Sequence, residues 1–118
     1  MLRKLFAAVV LFVLGGALAW AGDPVGRYSV QGSNPGNKSP YSGTVTVERT
    51  GETFRVTWDI GSQTFIGTGI GGDKGFAVSY RSGNQTGLAI YGAKGEDWDG
   101  VWAYTGGEAL GGEVWTRQ

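Results

Sequence analysis

The side chain in this chain with the most to offer chemically is one glutamate set among aromatics. Glu113 stands two residues before Trp115 in the run Gly111-Gly112-Glu113-Val114-Trp115. Side chains alternate faces along a strand, so Glu113 and Trp115 share a face and Val114 takes the other. If the tryptophan face is the core, a carboxylate is buried with it, and a buried carboxylate needs partners. The hydroxyls of Tyr28, Tyr41 and Tyr80, the indoles of Trp58, Trp98 and Trp102, and an inward arginine are the available donors. In the opposite register Val114 enters the core and Trp115 covers one end of the fold. Parity alone leaves both open.

The aromatics form the second constellation. Trp58, Trp98, Trp102 and Trp115 join five tyrosines in a short chain. Such rings fill a core by area, and their polar tips seek hydrogen-bond partners. The same residues could line a cage for a small ligand. The candidate ligand-binding set is therefore Glu113, Trp58, Trp98, Trp102, Trp115, Tyr28 and Tyr80. The chain has no His and no Cys, which removes the usual proton shuttle, thiol nucleophile and metal ligands. Ser62 and Ser79 have no His to activate them. Asp97 and Asp99 flank Trp98 beside Glu96, without the spacing of a calcium loop, and read as a solvated acidic turn. Gly67, Gly69, Gly71 and Gly72 lack the Gly-Lys-Ser/Thr ending and the following helix of a phosphate loop. No second inward acid accompanies Glu113 to make a glycosidase pair. No catalytic residues, no metal site and no cofactor are expected, and the chain is read as a non-enzyme.

Residues 1–21 have the layout of a signal peptide: Arg3 and Lys4, an apolar stretch from Leu5 to Leu14, then Ala19-Trp20-Ala21 as a cleavage site. The apolar stretch is short for a bilayer span of about 20 residues. Export to the periplasm or beyond is expected, with residues 22–118 as one mature domain. Lys plus Arg and Asp plus Glu balance at 10 each over the whole sequence. Loss of Arg3 and Lys4 leaves a slight acidic excess, which argues against nucleic acid or an anionic membrane as partner. Without Cys there is no disulfide to staple a small exported domain. Packing and backbone pairing must hold it.

The elements that would position these residues are strands. Val25 to Gly32 alternates Tyr28 and Val30 with polar residues. Tyr41 to Arg49 places Tyr41, Gly43, Val45 and Val47 on one face. Phe54, Val56, Trp58 and Ile60 alternate in the third strand. Phe65, Gly67 and Gly69 share a face of the fourth, where inward glycines predict a coiled wall facing a bulky neighbour. Phe76, Val78 and Tyr80 share a face of the fifth. The sixth, Thr86 to Tyr91, is apolar on both faces, so its orientation is open. Trp98, Gly100, Trp102 and Tyr104 go together in the seventh, and Leu110 to Thr116 is the eighth. Residues 31–40 and 92–97 read as loops, the first as the longest and most mobile. The outward residues read as Ser, Thr, Arg, Glu and Asp. With strands of five to nine residues, this argues against a transmembrane barrel. Eight short strands joined by tight turns predict an all-β, up-and-down antiparallel barrel. A two-sheet sandwich is the competing architecture.

The runs YSGTVTV, FRVTWDI, FIGTGI, FAVSY, WDGVW and GGEVWT resemble small exported proteobacterial proteins, some loosely labelled fibronectin-binding proteins. The resemblance implies an exported binding protein with an adhesive role and an extracellular protein partner. At fold level the chain is also similar to avidin and lipocalin barrels, which implies a carrier holding a small apolar or aromatic ligand inside. No binding residues are carried over from either resemblance.

Overall fold

The computed structural model describes residues 23–118. The expected signal peptide, 1–21, lies outside the described residues. The eight strands are β1 (Gly26–Ser33), β2 (Pro40–Thr50), β3 (Thr53–Ile60), β4 (Gln63–Gly71), β5 (Gly75–Ser82), β6 (Gln85–Lys94), β7 (Asp97–Tyr104) and β8 (Gly111–Arg117). Each pairs antiparallel with its neighbours in sequence, and β1 closes on β8 with Val30 opposite Trp115. The barrel expectation holds and the sandwich does not. Closure leaves no unpaired strand edge, which suits a chain with no disulfide.

Four hairpins, Gly51-Glu52, Gly61-Ser62, Gly83-Asn84 and Gly95-Glu96, place glycine first, with φ between 58° and 68°. None of the second residues has positive φ. That is the type II′ turn, whose twist matches the flanking strands. Two expected loops are shorter than the sequence reading held. β6 runs on to Lys94, which pairs with Asp97, so the loop expected over 92–97 is a two-residue turn. Likewise β1 reaches Ser33, and the remaining loop is tied together. The side-chain amide of Asn34 donates to the Ser39 carbonyl and hydroxyl at 3.1 and 2.9 Å.

Alternation sets the core. Tyr28, Val30, Val45, Val47, Phe54, Val56, Trp58, Phe76, Val78, Tyr80, Ala89, Tyr91, Trp98, Trp102 and Trp115 are all buried. The open question in β6 is resolved with Gly87, Ala89 and Tyr91 inward and Leu88 and Ile90 outward. The reason lies across the strand pair. Ala89 stands opposite Trp102, and Tyr91 stands opposite Gly100. Small residues face large ones, so the rings interdigitate rather than collide. Glycine serves the same end in β4. A Cβ at Gly67 would come within 2.6 Å of Val78 and 3.3 Å of the Trp58 ring. The exterior is less polar than the sequence reading held. Ile70, Ala77, Ile90 and Val101 are paired neighbours across β4 to β7, and all are exposed.

The two ends of the barrel differ. At one, residues 23–25 cross the opening and Arg117 clamps them. Its guanidinium donates to the carbonyls of Val25 and Asp23 at 3.0 and 2.8 Å and to the Tyr28 hydroxyl at 2.8 Å. The Tyr28 hydroxyl then donates to the Pro24 carbonyl at 2.7 Å. The other end, ringed by residues 34–39 and 105–110 and two of the tight turns, is open.

Candidate functional site

Glu113 lies on β8 between Gly111 and Trp115, facing inward, and is 6% exposed. The tryptophan-in register is therefore the one adopted, and Val114 is exposed at 52%. Four neutral donors surround the carboxylate. Oε1 accepts from the Trp115 indole at 2.8 Å, the Tyr91 hydroxyl at 2.7 Å and the Trp58 indole at 3.1 Å. Oε2 accepts from the Tyr41 hydroxyl alone, at 2.6 Å. An indole N–H can only donate, so Oε1 is held purely as an acceptor.

The topology explains why these groups meet. Gly32 of β1 and Gly100 of β7 sit opposite Glu113 on its two neighbouring strands. Neither has a side chain to fill the space above the carboxylate. Tyr41 from β2, Trp58 from β3 and Tyr91 from β6 reach across that space from more distant strands. No lysine or arginine among the described residues forms an ion pair or hydrogen bond with Glu113. The partners are neutral throughout.

The phenols respond to this setting. Burial first, then the Glu113 charge and hydrogen bond, raise the pKa of Tyr91 well above its ordinary value of 10.0. Tyr41 is raised by the same causes in the same order. For Tyr80 burial leads, followed by Tyr104 and Glu113. All three phenols stay protonated through the neutral range, as hydrogen-bond donors must.

Above the carboxylate is a cavity of about 260 Å³ leading to the open end. Glu113, Tyr41, Tyr91 and Trp58 form its floor, and Tyr80 and Trp102 form its walls. Partly exposed Ile60, Phe65 and Tyr104, with polar Asn34, Gln63 and Gln85, form its mouth. The Gln63 amide donates to the Gln85 carbonyl at 3.2 Å, bridging one side of that mouth. Trp102 is buried against Gly111, and its indole N–H, like that of Trp98 away from the cavity, makes no hydrogen bond of good geometry among the described residues. A buried unpaired donor costs about 1–3 kcal/mol.

Of the residues singled out from sequence, the structure brings Glu113, Trp58, Trp102 and Tyr80 together around the cavity. Trp115 touches the same carboxylate from beneath it. Tyr28 and Trp98 do not reach the cavity. Both are 0% exposed, and Tyr28 carries the clamp at the closed end. Tyr80 donates to the Ala103 carbonyl at 3.3 Å rather than to Glu113. The donors missed from sequence are Trp115, named only as the same-face neighbour of Glu113, and Tyr91, whose signal was the match of Tyr91 to Gly100 and of Ala89 to Trp102 across the strand pair.

Chemically the site can accept a hydrogen bond at the base of an aromatic-lined pocket. The cavity wall holds one carboxylate, and no group of three metal-ligating side chains exists among the described residues.

No family model matches the chain, and no curated protein matches it significantly. Solved structures do match. A redesigned β-barrel, b11L5F_LGL, has a TM-score of 0.68 at 14% identity, covering 80% of this chain and 90% of its own. A second redesigned barrel, mFAP1 bound to DFHBI, has a TM-score of 0.64 at 14% identity, covering 79% and 94%. A fluorescence-activating β-barrel designed de novo has a TM-score of 0.63 at 11% identity, covering 90% and 100%. At these identities the likeness is one of fold: the chain shares the β-barrel architecture of these designed proteins.

Proposed function

We propose that this protein is a non-catalytic binding barrel that takes a small molecule through its open end. The observation that carries this is the buried carboxylate of Glu113 at the base of an open, aromatic-lined cavity. A barrel interior needed only for stability is filled by side chains, whereas eight strands also suffice to hold one small ligand. A buried acceptor with an open position at the base of an apolar pocket is the pattern of a few polar groups orienting a ligand. That the similar barrel mFAP1 was solved with DFHBI bound supports the capacity of this shape for a guest. Export to the periplasm or beyond belongs to the same proposal and rests on residues 1–21. The decisive experiment is native mass spectrometry of the protein isolated from its own cells, with and without organic solvent extraction. A stoichiometric small-molecule adduct that extraction removes is the expected result.

An adhesive role, implied by the resemblance to proteins labelled fibronectin-binding, stands second. The exposed apolar row Ile70, Ala77, Ile90 and Val101 is the surface that supports it. Immobilised matrix protein should then retain the wild type and release Ile90→Lys.

A further inference from the structure

The oxygens of Glu113 are unequally used. Three donors crowd Oε1, while Oε2 has only Tyr41. A carboxylate offers about four lone-pair sites over its two oxygens, so Oε2 retains an acceptor position on a residue that lines the cavity. Nothing positive faces it. The cavity is lined by Asn and Gln amides, aromatic rings, one Ile and the carboxylate itself, with no Lys or Arg.

A purely structural node would not need a charge here. A glutamine could keep the same contacts, its carbonyl accepting from Trp58, Tyr91 and Trp115 while its amide donates to the Tyr41 oxygen. A charge without a counter-charge in a desolvated site is costly, and it favours a guest that brings the opposite charge. The walls favour the same guest. Trp58, Tyr80 and Trp102 line the cavity as packed aromatic rings. Aromatic rings are electron-rich and tolerate a cation beside them better than an anion. The volume is also telling. At about 260 Å³ it lies just below the roughly 300–1,000 Å³ of drug-sized sites, so the guest is compact. Phe65 and Tyr104 near the mouth suit an apolar or ring-bearing body.

Building on the binding-barrel reading, we infer that the guest is a small primary ammonium on an apolar, ring-bearing body, its N–H donating to Glu113 Oε2. A quaternary ammonium has no N–H and fits less well. A neutral alcohol or amide satisfies the acceptor without the charge.

Phenethylamine, phenethyl alcohol and phenylacetate are near-isosteres that differ in charge. Titrated into the wild-type protein and followed by tryptophan fluorescence and calorimetry, the ammonium should bind roughly tenfold or more tighter than the alcohol, because its hydrogen bond is charge-assisted. The carboxylate should not bind. In Glu113→Gln the preference of ammonium over alcohol should vanish, with near-ultraviolet circular dichroism checking that the aromatic core is retained. The wild-type series decides even if that variant fails to fold. Equal affinity for the ammonium and the alcohol, or tighter binding of phenylacetate, overturns the cation inference and leaves the binding barrel standing. Absence of binding by all three overturns the cation inference, and an adduct-free native mass spectrum then removes the binding barrel as well.

Discussion

At the scale of single residues, Glu113 does two things that pull against each other. It collects four donors from β2, β3, β6 and its own strand, and it places a charge where water is scarce. Removing it should cost stability because the donors stay. Glu113→Ala strands two indoles and two hydroxyls, and a loss of at least about 1–3 kcal/mol is expected. Glu48→Ala, at an exposed position of β2, should stay within about 0.5 kcal/mol. Chemical denaturation of both variants beside the wild type measures the contrast, and equal small effects would mean that the network contributes nothing. The phenols make a second prediction. Tyr28, Tyr41, Tyr80 and Tyr91 all have pKa values raised above 10.0 by burial. A group whose folded pKa is raised contributes stability that is complete below its unfolded pKa and is lost as pH climbs through the folded value. Stability should therefore hold through neutral pH and fall from about pH 10 upward. Tyrosinate absorbance and far-ultraviolet circular dichroism, followed together, should change in one step for these residues. Smooth ionisation of all five tyrosines with the fold intact would contradict it.

At the scale of strands, pairing small residues with large ones is what makes an aromatic-rich barrel close. Gly67 faces Tyr80 on β5 and Val56 on β3, and the Trp58 ring lies beside it. A methyl group there would sit 2.6 Å from the Val78 side chain and 2.8 Å from the Ser79 carbonyl. Gly67→Ala should therefore destabilise by about 1–3 kcal/mol through overpacking. Gly72→Ala, in a turn with nothing within 4 Å of the added carbon, should be nearly neutral. Denaturant midpoints of the pair decide, and a Gly67→Ala as stable as wild type would show that the wall has slack. The same pairing marks the limit of what the sequence discloses. β1, β2, β3 and β5 were legible because each alternates apolar with mostly polar residues, a pattern with one sensible facing, and β4 because Gly67 and Gly69 beside Phe65 mark the face where bulky neighbours approach. β6 was not, since Leu88 and Ile90 are as apolar as Ala89 and Tyr91. Its facing depends on Gly100 and Trp102 in the next strand, information that period-two alternation within a strand does not contain. With Tyr91 unplaced, the donor set of Glu113 was only half legible. The cavity was not legible at all. Its volume depends on how the eight strands tilt and stagger, and on rings such as Tyr28 and Trp98 packing at the far end instead.

At the scale of the whole molecule, the barrel divides its tasks between its ends. The closed end is tied by Arg117, which holds the 23–25 strap and lays its guanidinium carbon 4.8 Å from the centre of the Tyr28 ring. Its backbone N–H donates to the Asp97 carboxylate at 2.9 Å. None of these groups lines the cavity. The open end carries Phe65, Tyr104 and the glutamine bridge, which are partly or fully exposed and take no part in that clamp. Stability and binding should therefore separate by mutation. Arg117→Lys loses the planar fork that reaches three carbonyls and a hydroxyl at once, and a loss of about 1 kcal/mol or more is expected as these partly buried acceptors lose their donor. Binding of phenethylamine should be unchanged as long as the protein is folded. Phe65→Ala should do the reverse, weakening that binding several-fold while shifting the denaturation midpoint much less than a fully buried Phe would, because Phe65 is only partly buried. Both variants need both measurements. If Arg117→Lys changes affinity as strongly as Phe65→Ala, the two ends are coupled through the aromatic stack of Tyr28, Trp115 and Trp58, whose rings follow one another at 5.3 and 6.1 Å, and the barrel works as a single unit.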